Sequence, residues 1–391
     1  MPRDRWPPQL QGMHVVTIGG GTGPFALLSA LKRYPCVPTA VVTMTDSGGS
    51  SRRLMDEFGQ LPVGDLRQAL VALSRKGALW RDMFAFRFPS ARLAETTSQR
   101  DGLLPSSYLT PAKDEVGLGG HSLGNLILCA LQSINDGNLL HGILDAEELL
   151  DAAGNVLPVT LAHTTLCAEL ADGTTVCGES EIDRRGSGQV GALAPIGRVF
   201  LQTEAQACAD TVRAIRRADL IVLGPGDLYT SILPNFLVEG IAEAVSMSEA
   251  QKVYVCNLMT KHGETDGFRA SDFVREVMSY LGHGIDRVVL HDGSIDTGLL
   301  ERYACEHQEP VEPDTEAVRR LVPDVVTDQL VSLRRDHLIR HDPERLIRAI
   351  FSPRDHLLQD GLMAAEVTRG RWPGFVPGDE TSLGWRADDG D

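Results

Sequence analysis

Gly19-Gly20-Gly21-Thr22-Gly23 is the sharpest chemical signal in the chain. It follows the β-branched run His14-Val15-Val16-Thr17-Ile18 and precedes a stretch, 24–33, whose apolar residues suit a helix. Glycines between a strand and a helix let the backbone pass close to an anion. The helix start adds free N–H groups and the positive end of a dipole. Pro24 fits the first turn, where its missing N–H costs nothing. The spacing is not the GxGxxG of dinucleotide folds, and no Walker lysine follows. The loop therefore points to a phosphate or diphosphate without naming the ligand.

Five more segments repeat the pattern. After an apolar strand at 40–44 comes Thr45-Asp46-Ser47-Gly48-Gly49-Ser50-Ser51-Arg52-Arg53. Asp46 at a strand end could accept from a sugar hydroxyl or hold Mg²⁺ beside a diphosphate. The Gly48-Gly49-Ser50 stretch is a second anion-friendly nest, and Arg52 and Arg53 could clamp phosphate oxygens. Asp65 opens a helix at 64–74, either as a second carboxylate on the ligand side or as an ordinary N-cap. In 119–125, Asn125 could hydrogen-bond a substrate and His121 could move a proton near neutral pH. Gly224, Gly226 and Asp227 follow a strand at 220–223, and Asn257 ends another at 253–257. So many strand ends and helix starts of this composition are expected to converge on one crevice. No GxSxG elbow or kinase signature is present. The chemistry fits transfer at a phosphorus centre, where positioning and metal do most of the work. It fits reversible binding of a nucleotide equally well.

The elements that must position these residues alternate. The first 45 residues read as strand, loop, helix, strand, the unit that forms a right-handed parallel crossover. Helices are expected over 121–134, 205–217, 234–246 and 271–281, with a last apolar strand at 287–290. Asp172-Gly173, flanked by 159–169 and 174–182, signals a β-hairpin that would add an antiparallel edge to the main sheet. The expected fold class is α/β, a doubly wound and mostly parallel sheet with a β-hairpin and helical insertions. One domain spans 13–350, after an extension at 1–12. Region 76–120 reads as a lid insertion, and 351–391 as a C-terminal extension able to dock on the domain or to hold a protein partner.

Composition narrows the class. Of 391 residues, 42% are hydrophobic and 23% charged, ordinary for a globular protein with a sizeable core. Lys and Arg number 37 against 53 for Asp and Glu, a net −16, which argues against nucleic acid or an anionic membrane as partner. No apolar run is long enough to span a bilayer, and the N-terminus does not read as a secretory signal. Seven cysteines, at 36, 129, 167, 177, 208, 256 and 305, include no CxxC pair. They are expected to be free thiols in the cytoplasm.

Six blocks give the chain a family likeness. They are GGGTG at 19–23, TDSGGSS at 45–51, PVGDLRQAL at 62–70, GHSLGNL at 120–126, LGPGDLYTSILPN at 223–235 and CNLMTKHGETDGF at 256–268. In this order they resemble the 2-phospho-L-lactate transferase/gluconeogenesis factor family (CofD/YvcK-like), with the last two blocks closer to the gluconeogenesis-factor branch. The resemblance implies a Rossmann-like fold that binds a nucleotide sugar such as UDP-N-acetylglucosamine. It also implies a role linking carbon metabolism to envelope synthesis and cell shape, with no cofactor required for binding. Weaker matching blocks imply Tyr303 and Arg340 as nucleotide-sugar contacts. The transferase branch implies instead a Mg²⁺-dependent transfer of a phosphate-bearing group to a hydroxyl acceptor, with Asp46 and Asp65 at the catalytic or metal end. A homo-oligomer is compatible with either branch. The chain departs from the family pattern at Arg52-Arg53, where Gly then Arg is usual.

Overall fold

The structure is a computed structural model, and it describes residues 10–20, 23–89, 118–189, 191–333 and 338–352. Its strands, in chain order, are β1 (His14–Gly19), β2 (Val37–Val42), β3 (Asn155–Pro158), β4 (Leu166–Leu170), β5 (Thr175–Cys177), β6 (Ile196–Leu201), β7 (Leu220–Leu223), β8 (Gln251–Val255), β9 (Arg287–His291), β10 (Asp324–Asp328), β11 (Val331–Leu333) and β12 (Ile339–His341). Seven of them form one parallel sheet in the order β10-β9-β8-β7-β1-β2-β3. The chain builds outward from β1 to β2 and β3, then returns to the other side of β1 with β7. The strand order reverses between β1 and β7.

The central strands are continuous apolar runs because helices cover both faces of the sheet. Side chains alternate between two cores. Val15, Val222, Val253 and Val289 face one core with Leu27, Leu346 and Ile347. Val16, Ile221, Tyr254 and Val288 face the other with Leu66, Leu70 and Phe273. The strand at 14–18, the helix at 64–74 and the doubly wound parallel class are as the sequence led us to expect.

Several expectations are corrected. The hairpin about Asp172-Gly173 does form, but β4 and β5 join β6 in a separate three-stranded antiparallel sheet instead of extending the main one. The single helix at 234–246 is broken into Leu233–Phe236 and Ile241–Met247, because Gly240 takes a left-handed conformation (φ +95°) between them. β9 is not the last strand; β10 extends the sheet, and β11 pairs with β12 in a small antiparallel ladder. Not all seven thiols are free. Cys167 and Cys177 lie directly opposite across β4 and β5, with Cα atoms 4.1 Å apart, and are joined in a disulfide. Hairpin register, which no CxxC spacing reports, brings them together. The other five are free.

No helix among the described residues is long and apolar enough to cross a membrane. Most of the 76–120 region (90–117), the 1–9 segment and the extension from 353 onward lie outside the described residues.

Candidate functional site

A cavity of about 620 Å³ opens where the strand order reverses, at the C-terminal ends of β2, β1, β7 and β8. In open α/β sheets this is where the two crossovers diverge and leave a crevice. Its floor is built by close approach of two glycine-bearing loops. The Gly224 N–H donates to Ile18 O at 2.9 Å, which joins the loop after β7 to the end of β1. A Cβ on Gly23 would lie 2.2 Å from Pro225 O and 2.6 Å from Gly226 Cα, so no side chain fits there. Asn257, just past β8, donates from Nδ2 to Gly226 O at 2.9 Å and fixes the third loop.

Two carboxylates border the floor. Asp46 accepts from the Gly48 N–H at 2.8 Å and from Ser51 Oγ at 2.7 Å, a turn that starts the helix Gly49–Phe58. A Cβ on Gly64 would come within 2.1 Å of Asp46 Oδ2, and one on Gly20 within 2.6 Å of Asp65 Oδ2. The absence of side chains at these glycines lets both carboxylates reach the cavity. Glu179, from the segment after β5, lines the same wall. Burial, then the neighbouring charges of Asp46, Asp183 and Asp65, push its pKa up to about 8. Among the described residues, no group of three or more His, Cys, Asp and Glu side chains has an arrangement that could hold a metal ion.

The opposite wall comes from the C-terminal part of the chain. Tyr303 lies in the helix Thr297–Ala304, and its hydroxyl accepts from the Ile339 N–H at 3.0 Å. That bond fixes β12, which brings Arg340 and His341 to the cavity. His341 donates to Cys256 O at 3.2 Å from Nε2, and burial holds its pKa down near 4, so it is neutral at pH 7. Lys261 is tied to Asp227 at 2.7 Å, to Glu264 at 3.0 Å and to Asp183. Burial alone would lower its pKa, but the three carboxylates outweigh it and raise it. With its charge offset three times over, Lys261 braces the loops and is a poor anion receptor.

Of the site residues read from the sequence, Gly20, Gly23, Asp46, Gly48, Gly49, Ser50, Asp65, Asn125, Gly226, Asp227, Asn257, Tyr303 and Arg340 all line this cavity. Gly19 and Gly224 pack behind its floor. Ser47 also sits behind the wall, where its Oγ accepts from the Ser180 N–H at 2.9 Å. Gly21 and Thr22 lie outside the described residues. Arg52, Arg53 and His121 are not on the wall. The helix buries Ser50, Ser51 and Leu54, which turns the two arginines away, and Arg53 donates to Gly119 O at 2.6 Å. His121 is buried beneath Ser50, 3.3 Å from its Oγ.

Sequence reading missed Arg67, Arg87, Glu179 and Lys261, all on the cavity wall. Arg67 is buried in the helix Gly64–Leu73 and donates from Nε to Asn125 Oδ1 at 2.9 Å. Burial, then Arg87, brings its pKa down to about 10 against the opposing pull of Asp46 and Asp65. The one available signal was its place in the PVGDLRQAL block, two residues after Asp65.

The comparisons agree on one likeness. A family model described as 2-phospho-L-lactate transferase CofD matches residues 15–331. A gluconeogenesis factor of Halalkalibacterium halodurans is 40% identical over 340 residues, covering 86% of this chain and 95% of that protein. A gluconeogenesis factor of Bacillus subtilis is 39% identical over 334 residues, 85% of this chain and 95% of its own. A crystal structure of a Bacillus halodurans protein superposes with a TM-score of 0.76 at 39% identity, over 88% of this chain and 100% of that one.

Proposed function

The chain belongs to the CofD family and stands with its gluconeogenesis factors, and from that premise we propose that its cavity binds a nucleotide sugar of the UDP-N-acetylglucosamine type. In this reading the protein is a cytoplasmic regulator linking carbon metabolism to envelope synthesis and cell shape. One observation carries the reading: two glycine-bearing loops meet at the strand-order reversal, with polar wall residues on both sides. The diphosphate would lie over the ends of β1 and β7, where backbone N–H groups can approach it closely. Tyr303 and Arg340 would meet the ligand from the opposite wall, the guanidinium contributing charge-assisted hydrogen bonds.

Calorimetric titration with UDP-N-acetylglucosamine tests the reading. Wild type is expected to bind saturably, and Arg340→Ala to lose about tenfold or more in affinity, the scale of a charged hydrogen bond. No saturable heat at millimolar ligand overturns the proposal. Unchanged affinity in Arg340→Ala removes that residue from the site.

A second reading, a Mg²⁺-dependent transferase moving a phosphate-bearing group to a hydroxyl acceptor, is favoured by Asp46 and Asp65 bordering one cavity. Two carboxylates suit Mg²⁺, which is usually held by one or two of them plus substrate phosphates and water. Each oxygen of Asp46 takes one hydrogen bond and keeps further acceptor capacity. Bound there, the ion would neutralise charge on phosphate oxygens. Chromatography of the titrated samples separates the readings: an intact nucleotide sugar favours binding alone, and Mg²⁺-dependent consumption favours the transferase.

A further inference from the structure

Among the described residues, no carboxylate contact neutralises the charge of Arg67. Its side chain is 8% exposed. Among the described residues no carboxylate lies within 4.0 Å of its guanidinium. Buried charges are ordinarily paired, because leaving one unpaired is strongly unfavourable. The partners Arg67 does have are neutral: Asn125 Oδ1 at 2.9 Å and Phe84 O at 3.3 Å. They occupy Nε and Nη1 and fix the plane of the group.

The stem of the side chain is closely packed. Gly124 lies against its stem, and a Cβ there would fall 2.7 Å from Arg67 Cδ. The guanidinium is thus clamped from behind while the residue borders the cavity. Arg87 borders the same cavity. Two like charges brought together would repel unless an anion sat with them. Asn125, whose Nδ2 donates to Ser50 Oγ at 3.2 Å, completes a polar wall on this side. Asp46 and Asp65 border the cavity too, but among the described residues neither lies within 4.0 Å of the Arg67 guanidinium.

We propose that Arg67 and Arg87 form an anion subsite, separate from the glycine-loop rim, for a phosphate or carboxylate group. The inference rests on the reading that the cavity takes an anionic small molecule, and adds a second acidic group to that ligand class. A nucleotide sugar places its diphosphate over the glycine loops. The arginine pair then receives either an acidic substituent of the same molecule or a small acid bound beside it.

The test uses the full chain and two probes, inorganic phosphate and malonate. Each is titrated calorimetrically into wild type, Arg67→Gln, Arg67→Lys and Arg87→Ala, with and without saturating UDP-N-acetylglucosamine. Thermal unfolding of each variant checks the fold. Arg87 is exposed, so Arg87→Ala keeps the test decisive if Arg67→Gln does not fold. At least one probe is expected to bind wild type saturably, about tenfold more weakly in Arg67→Gln and several-fold more weakly in Arg87→Ala. Arg67→Lys should fall between, since a lysine keeps the charge but loses the planar fork. Binding of phosphate alone identifies a phosphate group, and of malonate alone a carboxylate. The proposal is overturned if neither anion binds up to tens of millimolar, or if folded Arg87→Ala and Arg67→Lys both bind as wild type does. Arginine-dependent phosphate binding without any binding of the nucleotide sugar would sink the proposed function and leave the subsite standing.

Discussion

At Gly23 a single hydrogen stands where a methyl group would meet Pro225 O and Gly226 Cα, both of them backbone. Neither neighbour can rotate away, so Gly23→Ala must part the two loops that floor the cavity. Overpacking of this kind costs about 1–3 kcal/mol, and a lowered urea midpoint with unchanged slope would report it. An unchanged midpoint would mean that the loops are not held together as described. The glycines of the site, with Asp46 and Asp65, were legible because several strand ends and helix starts carry such residues together. Glu179, in the segment after β5, gave no such signal. Arg67 was not, since its significance is the absence of a carboxylate partner, which only three-dimensional neighbours reveal. Tyr303 and Arg340 were legible only through family resemblance. Nothing in their spacing foretells that a tyrosine hydroxyl accepting from Ile339 would set the strand that carries Arg340.

Among the elements, the interior strands were readable and the edges were not. β1 and β7 are buried on both faces and show as apolar runs. β3 ends in a proline, and β10 is flanked by aspartates and half-buried, so neither carries a run to read. β3 is held partly from outside the sheet, where Glu147 in the helix Leu139–Leu150 accepts from the Val156 N–H at 2.5 Å. Burial raises this carboxyl to about pH 7, against its ordinary value of 4.5. A folded-state pKa above the unfolded one means that the native state holds the proton more tightly. The associated stability is therefore present in full below about pH 4.5 and is lost as pH climbs through about 7. At about 1.4 kcal/mol per unit the window is worth up to about 3.5 kcal/mol. Glu147→Gln keeps the acceptor and removes the titration. Its unfolding free energy, compared with wild type at roughly pH 5 and pH 8, is expected to fall less on the alkaline side. Parallel loss in both proteins would show that Glu147 does not titrate in this window. Glu179 rises for the same reason and titrates in the same direction, so the difference between the two proteins is the quantity to read.

Across the whole molecule, two buried arginines are treated differently, and the contrast separates structure from ligand. Arg287, 2% exposed, sits at the start of β9 and meets Asp324 on β10 at 2.6 and 2.8 Å. Its remaining reach goes to Ile350 O at 2.9 Å, which fastens the helix Pro343–Ile350 to the sheet. Here charge, fork and backbone acceptors are all matched within the fold, as a structural arginine requires. The sequence could not show this, because the pair depends on β10 lying beside β9. Asp324→Asn keeps the shape and removes the carboxylate charge from this buried pair, a change expected to cost about 3–5 kcal/mol. The same helix shares a core with β7 and β8, the strands whose ends help floor the cavity. Hydrogen exchange of Asp324→Asn should therefore show faster exchange along β10 and 343–350, while the β1 and β2 amides keep their protection relative to the global stability. Uniform loss of protection over the whole sheet would mean that this edge unfolds together with the site. A stability change below about 1 kcal/mol would mean that the pair contributes no more than a surface salt bridge.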